Sequence, residues 1–335
     1  MIYFARFLLM KANQVEIMTL EELVPVGHVY RKFLRLLNFK SIGYRLKRFE
    51  NHGPAGARGY GMETLFRCLL LQFIEDLSDR ELEKMLQENT AAKLFCGFRL
   101  SEKTPDFTLF TKTRTKIGAK ELGKMFAKMR DQLRSQGYMN EVFNFVDASH
   151  LVSKAALWEQ RDEAIKKRYE KLNNETLPQV ARDKQARFGC KGASKFWYGY
   201  KEHVSMDMQS GLINKIAVTP ANVTDAQGFK HVAPKQGAIY GDKDFCIKPA
   251  RLEIQKRGLH DATIKLNHMK AKNRDKDRWL TAIRAPYERV FSKRDRRVRY
   301  CGVAKNQFRA FGRAIAFNLK RLVVLEAYDD GVCLA

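Results

Sequence analysis

The sequence lacks the cysteine patterns that bind zinc or cross-link small secreted folds. Its six cysteines include no CxxC pair and have no regular spacing, which excludes a zinc ribbon and a disulfide framework. We therefore expect reduced thiols and a cytoplasmic location.

Long apolar runs are missing as well. The longest, around Leu69–Leu71, is interrupted by Gln72 and closed by Glu75, so we expect a core helix there and no transmembrane segment. The opening MIYFARFLLMK is too short to span a bilayer and has no small-residue cleavage site. It is predicted to be a first helix or strand, or an upstream start of the reading frame.

Acidic residues are scarce relative to basic ones. The 335 residues include 62 Lys and Arg against 37 Asp and Glu, which gives a net charge of +25. This excess favours a polyanionic partner, and nucleic acid is the first choice. The basic residues are spread along the chain and interleaved with aromatics, so no membrane partner is expected. The 45% hydrophobic content is enough for a globular core, in two domains or one large domain with insertions.

Residues 1–138 are predicted to form a helical domain. Helical periodicity, capping residues and glycine stops give the following segments: Leu20–Leu37 as one helix or two short ones, Met62–Leu77, a helix started by Ser78 and Glu81, Phe107–Lys116 started by Thr104 and Pro105, and Ala119–Gln136. A Gly- and Pro-rich loop at 51–61 separates the first helices from the rest.

The helix Phe107–Lys116 carries Lys112, Arg114 and Lys116. Short helices joined by tight turns, the last one basic, resemble a helix-turn-helix arrangement that contacts DNA. A plain helical bundle has the same pattern, and the sequence leaves both interpretations open. In the first interpretation these three residues bind DNA.

A polar stretch from about 153 to 195 is predicted to be a basic insertion with a helical piece at Leu157–Leu172. Most of its charges fit an ordinary solvated surface, and the alternative is a surface that follows a phosphate backbone. In that alternative the candidate contacts are Lys184, Arg187, Lys191 and Lys195.

Residues 139–335 are predicted to form an α/β domain in which strands and helices alternate. The expected elements are a strand at Val142–Val146, a hairpin of Phe196–Met208 and Leu212–Thr219, a helix capped by Asn222 or Thr224, a strand at Ala238–Tyr240, a helix at Pro249–Gly258, a brief strand at Thr263–Leu266, and helices at Trp279–Arg294 and Phe308–Val324.

Three acids stand out in this half. Asp147 and Asp242 each follow a short apolar strand, and Glu288 lies at the edge of the apolar face of the helix Trp279–Arg294. Asp147 alone could be a turn residue with Ala148 and Ser149. Three carboxylates that converge at a sheet edge can instead hold two Mg²⁺ ions and support phosphodiester chemistry. No Cys and His cluster, Walker-type loop or nucleophilic serine motif competes with this interpretation.

Four long segments carry a family resemblance: FVDASH, FWYGYKEHVSMDMQSGLINKIAVTPANVTDA, AIYGDKDF and IRAPYERVFSKRDRRVRYCGVAKNQ. They cover most of residues 143–320, and together they resemble a DDE transposase of the bacterial insertion-sequence class, closest to the IS-five group. The resemblance implies a ribonuclease-H-like catalytic domain after an all-helical N-terminal DNA-binding domain. It also implies that Asp147, Asp242 and Glu288 are the catalytic, metal-binding triad for two Mg²⁺ ions, with Mn²⁺ as the alternative metal.

The signature around the glutamate extends the resemblance. Arg284 matches the signature arginine, whereas Thr281 and Asp295 stand where a tyrosine and a lysine are usual, and Asp244 stands where glycine is usual after the second acid. The resemblance implies that Arg284 binds DNA, with Arg294 and Arg296 as the basic neighbours that take the terminal phosphates.

The resemblance finally implies an activity. We expect cleavage of DNA at inverted-repeat ends, strand transfer to target DNA, a homodimer or larger complex on DNA, and a protein associated with the nucleoid. Two alternatives stay open: a catalytically inactive DNA-binding relative that acts as a repressor, and a general nuclease of the same fold.

Overall fold

The computed structural model describes residues 17–50, 59–154, 157–169, 172–192, 195–292, 297–298 and 300–329. The opening MIYFARFLLMK, most of the loop 51–61, and Arg294, Asp295 and Arg296 lie outside the described residues. No helix in the described ranges is long and apolar enough to cross a membrane.

The first part of the structure is helical. Its elements are α1 (Leu20–Leu23), α2 (Val29–Leu36), α3 (Phe39–Gly43), a 3₁₀ turn (Tyr44–Phe49), α4 (Met62–Ile74), α5 (Asp79–Glu88), α6 (Thr90–Cys96) and α7 (Phe107–Ser135). The predicted capping box at α5 is confirmed, since Ser78 and Glu81 bond each other's backbone N–H groups. The short helix α6 was not predicted.

Helix α7 joins the two helices that the sequence predicts between Phe107 and Gln136. Gly118 breaks it with a non-helical φ of 67°, a backbone conformation that glycine adopts readily. The predicted start at Thr104 and Pro105 is wrong. Asp106 is the cap, because its carboxylate accepts hydrogen bonds from the N–H groups of Thr108 and Leu109.

The rest of the chain forms a sheet with helices. The elements in order are β1 (Phe143–Val152), α8 (Leu157–Lys166), α9 (Leu177–Val180), β2 (Arg187–Lys191), β3 (Lys195–Asp207), β4 (Ile213–Pro220), α10 (Asp225–Val232), β5 (Ala238–Tyr240), a 3₁₀ turn (Lys243–Cys246), α11 (Lys248–Lys256), β6 (His260–Asp261), α12 (Arg274–Ser292) and α13 (Val303–Asp329). The path through the sheet is β2-β3-β1-β5-β6, and β4 pairs with β3. Strands β1, β5 and β6 are parallel, whereas β3 is antiparallel to β1, β2 and β4.

One predicted strand boundary and one predicted strand are wrong. Strand β1 does not end at Asp147, because the residues after it continue to pair with β3, and Ala148 lies opposite His203. Asp147 is therefore a mid-strand residue, which excludes the turn interpretation. The predicted strand Thr263–Leu266 is absent, since the Asp261 carboxylate bonds the Thr263 N–H and hydroxyl and turns the chain.

The helix that carries Glu288 starts earlier than predicted. Asn273 caps it, since its side-chain oxygen accepts hydrogen bonds from the N–H groups of Asp275 and Lys276, so α12 begins at Arg274. Its predicted apolar face is partly confirmed: Leu280 is buried, and Ile283 and Tyr287 pack against the core.

The two faces of the sheet pack against different cores. Phe145 belongs to a large core that also contains apolar residues of α2, α4, α7 and α13, so one core continues from the helical region into the sheet. Val146, on the other face of β1, belongs to a smaller core with Phe229 of α10 and Ile254 of α11. The predicted domain boundary between residues 138 and 139 stays a prediction, and the large core crosses it.

Candidate active site

The register of two parallel strands brings two of the predicted acids together. Phe145 on β1 lies opposite Tyr240 on β5, and two residues after this pair come Asp147 and Asp242. Neighbouring strands are separated by about 4.8 Å, so Asp147, within β1, and Asp242, in the turn directly after β5, follow the last paired residues at the same spacing. Asp242 also caps the following 3₁₀ turn, where its carboxylate accepts a 3.0 Å hydrogen bond from the Asp244 N–H.

Helix α12 brings the third acid to the same face. Side chains two apart on a strand share a face, so Asp147 lies on the face of Phe145. The Phe145 ring stacks on the Tyr287 ring of α12 at a centroid separation of 5.6 Å. Glu288 follows Tyr287 directly, and its charge acts on Asp147. The sheet and α12 therefore bring all three predicted acids within electrostatic reach of one another.

The two strand carboxylates carry raised pKa values. Burial, with the charges of Asp242 and Glu288, raises the pKa of Asp147 to about 7, against the lowering effects of the Ala148 N–H and Arg284. Burial also raises the pKa of Asp242, with the adjacent charge of Asp244 as the next cause. Functional sites commonly contain groups with shifted pKa values. Here the surroundings of Asp147 and Asp242 disfavour their charged forms.

Arg284 supplies the positive charge of the site. Its side chain is only 5% exposed and forms a 2.8 Å ion pair with Glu288, whose side chain is 48% exposed. The guanidinium carbon lies 5.7 Å from the centre of the Phe145 ring, and the buried Nε has no hydrogen-bond partner. The sequence places Glu288 at the edge of the cleft and pointing inward, but the structure turns it towards Arg284 and solvent.

The donor set is suited to a hard divalent cation. Within the described ranges, no three Asp, Glu, His or Cys side chains stand close enough to hold a metal ion jointly, and Glu288 is paired with Arg284. All three side chains nevertheless offer carboxylate oxygens, the ligands that Mg²⁺ prefers, and the raised pKa values of Asp147 and Asp242 show that their negative charge is poorly compensated. A cation at these two acids would compensate that charge.

The predicted DNA contacts in the insertion lie at its surface. Lys184, Lys191 and Lys195 are exposed. Lys191 and Lys195 face each other directly across the β2–β3 pair, a placement in which like charges repel. Arg187 is partly buried, and its guanidinium donates hydrogen bonds to the backbone carbonyls of Lys184 and Ala186.

The predicted contacts on α7 differ from one another. Lys112 and Lys116 are exposed. Arg114 is held inside the helical region, where it forms an ion pair with Asp79 and a 3.1 Å hydrogen bond to Gln72. Only 11% of its side chain is exposed, so its charge is used in packing α7 against α4 and α5.

Two residues of the site were not predicted from the sequence. Phe145 forms the floor under Arg284 and Tyr287, and the Tyr287 hydroxyl donates a hydrogen bond to the Met208 carbonyl. The apolar periodicity of α12 placed Tyr287 in the core, but nothing in the sequence gave its partner. Thr281, at the position of the usual signature tyrosine, is exposed and bonds the Asp277 carbonyl.

Two family models match the chain. A model described as a transposase DDE domain matches residues 155–319, and one described as a transposase domain (DUF772) matches residues 18–116. The chain belongs to the DDE transposases. The DDE match includes Asp242 and Glu288 but begins after Asp147. The proposed assignment of Asp147 as the first acid therefore rests on the strand register alone.

Membership confirms two predictions. The transposase has the predicted fold class, a helical N-terminal region followed by a ribonuclease-H-like domain with a mixed sheet. It is an enzyme of the class that cleaves and transfers DNA with divalent metal ions. The match does not define the IS-five group or the metal.

One solved structure was also compared. A chain in the crystal structure of a pre-cleavage Mos1 transpososome is 8% identical, with 91% of this chain and 98% of that chain covered, and the TM-score is 0.17. A TM-score of 0.17 does not show a common fold, and the membership of the chain rests on the family models.

Proposed function

We propose that this transposase belongs to an insertion sequence of the IS-five group, cuts DNA at the inverted-repeat ends, and joins the freed 3′ hydroxyls to target DNA. The observation that carries the proposal is the register of two adjacent parallel strands, which places Asp147, on β1, and Asp242, directly after β5, two residues beyond the pair Phe145 and Tyr240. Glu288 stands on the helix that covers the same face.

In this proposal Asp147, Asp242 and Glu288 hold two Mg²⁺ ions, with Mn²⁺ as the alternative. When bound, the ions activate the attacking water or 3′ hydroxyl and stabilise the leaving oxygen. Asp147 supplies a partly buried carboxylate from within β1, and Asp242 supplies one from the cap of the turn after β5, so little rearrangement is needed on their side. Glu288 is the adjustable ligand, because it must leave Arg284 to face the other two acids.

Arg284 then has a second role once Glu288 has moved. Its guanidinium is held over the Phe145 ring beside the acids, and its fork of donors suits a phosphate oxygen of the bound strand. The proposal keeps the implied partners Arg294 and Arg296 for the neighbouring phosphates.

We propose that the remaining DNA contacts lie on two exposed surfaces. The first is the insertion, with Lys184, Arg187, Lys191 and Lys195; the repulsion between the facing Lys191 and Lys195 would be relieved by a phosphate. The second is α7, with Lys112 and Lys116. Arg114 is not included, because Asp79 holds it. Two ends must be handled together, which supports a homodimer or larger complex working at the nucleoid in the cytoplasm.

The decisive experiment is cleavage of duplexes that carry the element ends, in Mg²⁺, with one acid changed at a time. Asp147→Asn, Asp242→Asn and Glu288→Gln should each reduce cleavage to background while DNA binding persists. Asp244→Asn is the matched control and should keep cleavage, since Asp244 neighbours the site without belonging to the triad. Unchanged cleavage in any triad variant would contradict the assignment.

The same assay separates the two alternatives. Equal cutting of duplexes with and without the element ends would favour a general nuclease. Binding of the ends by the unmodified protein, with no nicking in Mg²⁺ or Mn²⁺, would favour an inactive relative that acts as a repressor.

A further inference from the structure

A second concentration of positive charge lies on the face of the sheet opposite the acids. Lys215 on β4 pairs with Ser205 on β3, and Ser205 pairs with Val146 on β1. Val146 directly precedes Asp147, and adjacent residues of a strand point to opposite faces. Lys215 therefore faces α10 and α11, on the side away from the catalytic acids.

Two cations converge on one carbonyl at this face. The Lys215 Nζ and the Arg257 Nη1 both donate to the Ala233 carbonyl, the arginine at 3.4 Å, and Ala233 is the C-cap of α10. The simplest interpretation is that they cap the negative end of a helix dipole. Arg257 is also paired with Glu253, whereas the helix end amounts to about half an elementary charge, which does not balance the full charge of Lys215.

Two arginines of α7 extend the positive surface. Arg134 pairs with the buried Glu141 and donates a 3.4 Å hydrogen bond to the Asn214 Oδ1. Arg130 lies one turn earlier on α7. Among the ion pairs of the described residues, it pairs only with the exposed Asp131, at 3.8 Å. The buried Arg130 Nε and Asn214 Nδ2 have no hydrogen-bond partner. Glu141 Oε1 has no hydrogen-bond partner either, but it already forms the ion pair with Arg134, so Arg130 Nε and Asn214 Nδ2 are the two unpartnered donors at this place.

Lys235 completes the set, which we call the back-face basic cluster: Arg130, Arg134, Lys215, Lys235 and Arg257. Lys235 is exposed, and its backbone N–H uses the second oxygen of Glu141, at 3.0 Å. In the described part of the chain, neither Lys215 nor Lys235 forms an ion pair, whereas the three arginines pair with Asp131, Glu141 and Glu253.

The electrostatics agree with this geometry. Burial, together with the charges of Arg130, Arg257, Lys235 and Arg134, lowers the pKa of Lys215 to about 8. A lysine is held here in a positive potential, and an anion at this place would relieve it.

We propose that the back-face basic cluster binds backbone phosphates of duplex DNA on the face of the sheet opposite the catalytic acids. The cluster spans α7, β4 and the C-terminal end of α11, and its outer members are exposed, so it fits a polyanion better than one enclosed small ion. This inference rests on the proposed function and adds to it: the transposase would hold a second DNA segment away from the strand being cut.

The test uses the full-length protein and a labelled duplex without element ends. The cluster variant carries Lys215→Gln and Arg257→Gln. The control variant carries Lys84→Gln and Arg278→Gln, which remove the same charge at exposed positions. Each lost phosphate contact should reduce the slope of log K against log salt by about 0.9. We expect a slope smaller by about 1 to 2 for the cluster variant and an unchanged slope for the control.

A slope equal to that of the unmodified protein, in a folded cluster variant, would overturn the inference. Lys235→Gln, at an exposed loop position, provides the same test if the double variant does not fold, with an expected reduction of about 0.9. Cleavage of end-bearing duplexes in Mg²⁺ is measured in parallel. If no protein, the unmodified one included, cleaves the duplexes while the cluster variant still has the smaller slope, only the proposed function is refuted. If the cluster variant cleaves normally and its slope equals that of the unmodified protein, only this inference is refuted.

Discussion

Arg284 and Glu288 form an ion pair in which a buried cation, 5% exposed, holds a carboxylate that is 48% exposed. The pair is one helical turn apart on α12, a spacing at which side chains meet. Because Arg284 also lowers the pKa values of Asp147 and Asp242, it serves the whole site as a positive charge. A protein cation thus already neutralises Glu288, the carboxylate that we propose as a metal ligand.

The first prediction concerns this ion pair. Arg284→Gln should tighten Mn²⁺ binding by roughly tenfold or more in the absence of DNA, because it removes a charge that repels the ion and frees Glu288. Isothermal titration calorimetry measures the affinity directly. Arg278→Gln, on the same helix and 84% exposed, is the control and should bind as the unmodified protein does. Weaker binding in Arg284→Gln would show that the guanidinium supports the metal site.

The second prediction concerns the stability cost of Asp147. Burial and the neighbouring acids disfavour its charged form, so Asp147→Asn should raise the free energy of unfolding at pH 8 by roughly 1 to 4 kcal/mol. Urea denaturation in EDTA measures the change. Asp275→Asn is the comparison, since the Asp275 side chain is 93% exposed and its loss should alter stability by less than about 0.5 kcal/mol. A destabilised Asp147→Asn protein would mean that the carboxylate is needed for folding.

The third prediction concerns the pH dependence of His203. This buried side chain bonds Thr219, at 2.9 Å, and burial, with the charges of Lys201 and His231, lowers its pKa to about 3. The unfolded chain then binds the extra proton, so stability is present above a pH of about 6.5 and is lost as the pH falls towards 3. Between pH 7 and 5 the loss should be about 2 kcal/mol.

His203→Gln isolates that contribution. Denaturation midpoints of the two proteins across the pH range should diverge, with the variant losing less stability on acidification. Parallel curves would show that His203 does not titrate in this window.

The fourth prediction concerns the contact between α10 and β3. A Cβ on Gly228 would lie 2.1 Å from the His203 Cε1, so Gly228→Ala should destabilise the protein by roughly 1 to 3 kcal/mol. This sign is opposite to the usual gain from alanine in a helix. Gly27→Ala, where a Cβ meets nothing within 4 Å, is the control and should change stability little. Thermal denaturation of both variants measures the change in stability. A stabilised Gly228→Ala protein would contradict the close contact between Gly228 and His203.

Local signals in the sequence predicted much of the fold. Strand β5 matches its predicted bounds, the β3–β4 hairpin was placed within a residue or two, and the capping box at Thr224 starts α10 as expected. Each of these depends on residues close together in the chain, where periodicity and turn chemistry decide the structure.

The errors came from distant partners. The second half of β1 is polar and has weak strand propensity, and only its pairing with β3 keeps it extended. Arg114 has the pattern of a surface cation, yet Asp79, 35 residues earlier, holds it inside the helical region. The three acids could be proposed from their places in the sequence, and their assignment stays a prediction, whereas the ion pair between Arg284 and Glu288 and the back-face basic cluster depend on packing.

The final helix has a consequence for how the protein is made. Helix α13 completes the core of the helical region, and its Lys320 bonds the carbonyl of Ile74, 246 residues earlier in the chain. Ribosomes add about 5 to 20 residues per second, so α4 would wait roughly 12 to 50 seconds for this partner. During that interval the apolar surface meant for α13 is exposed to other chains. The folding yield of the transposase should therefore depend on the speed of its synthesis and on chaperones.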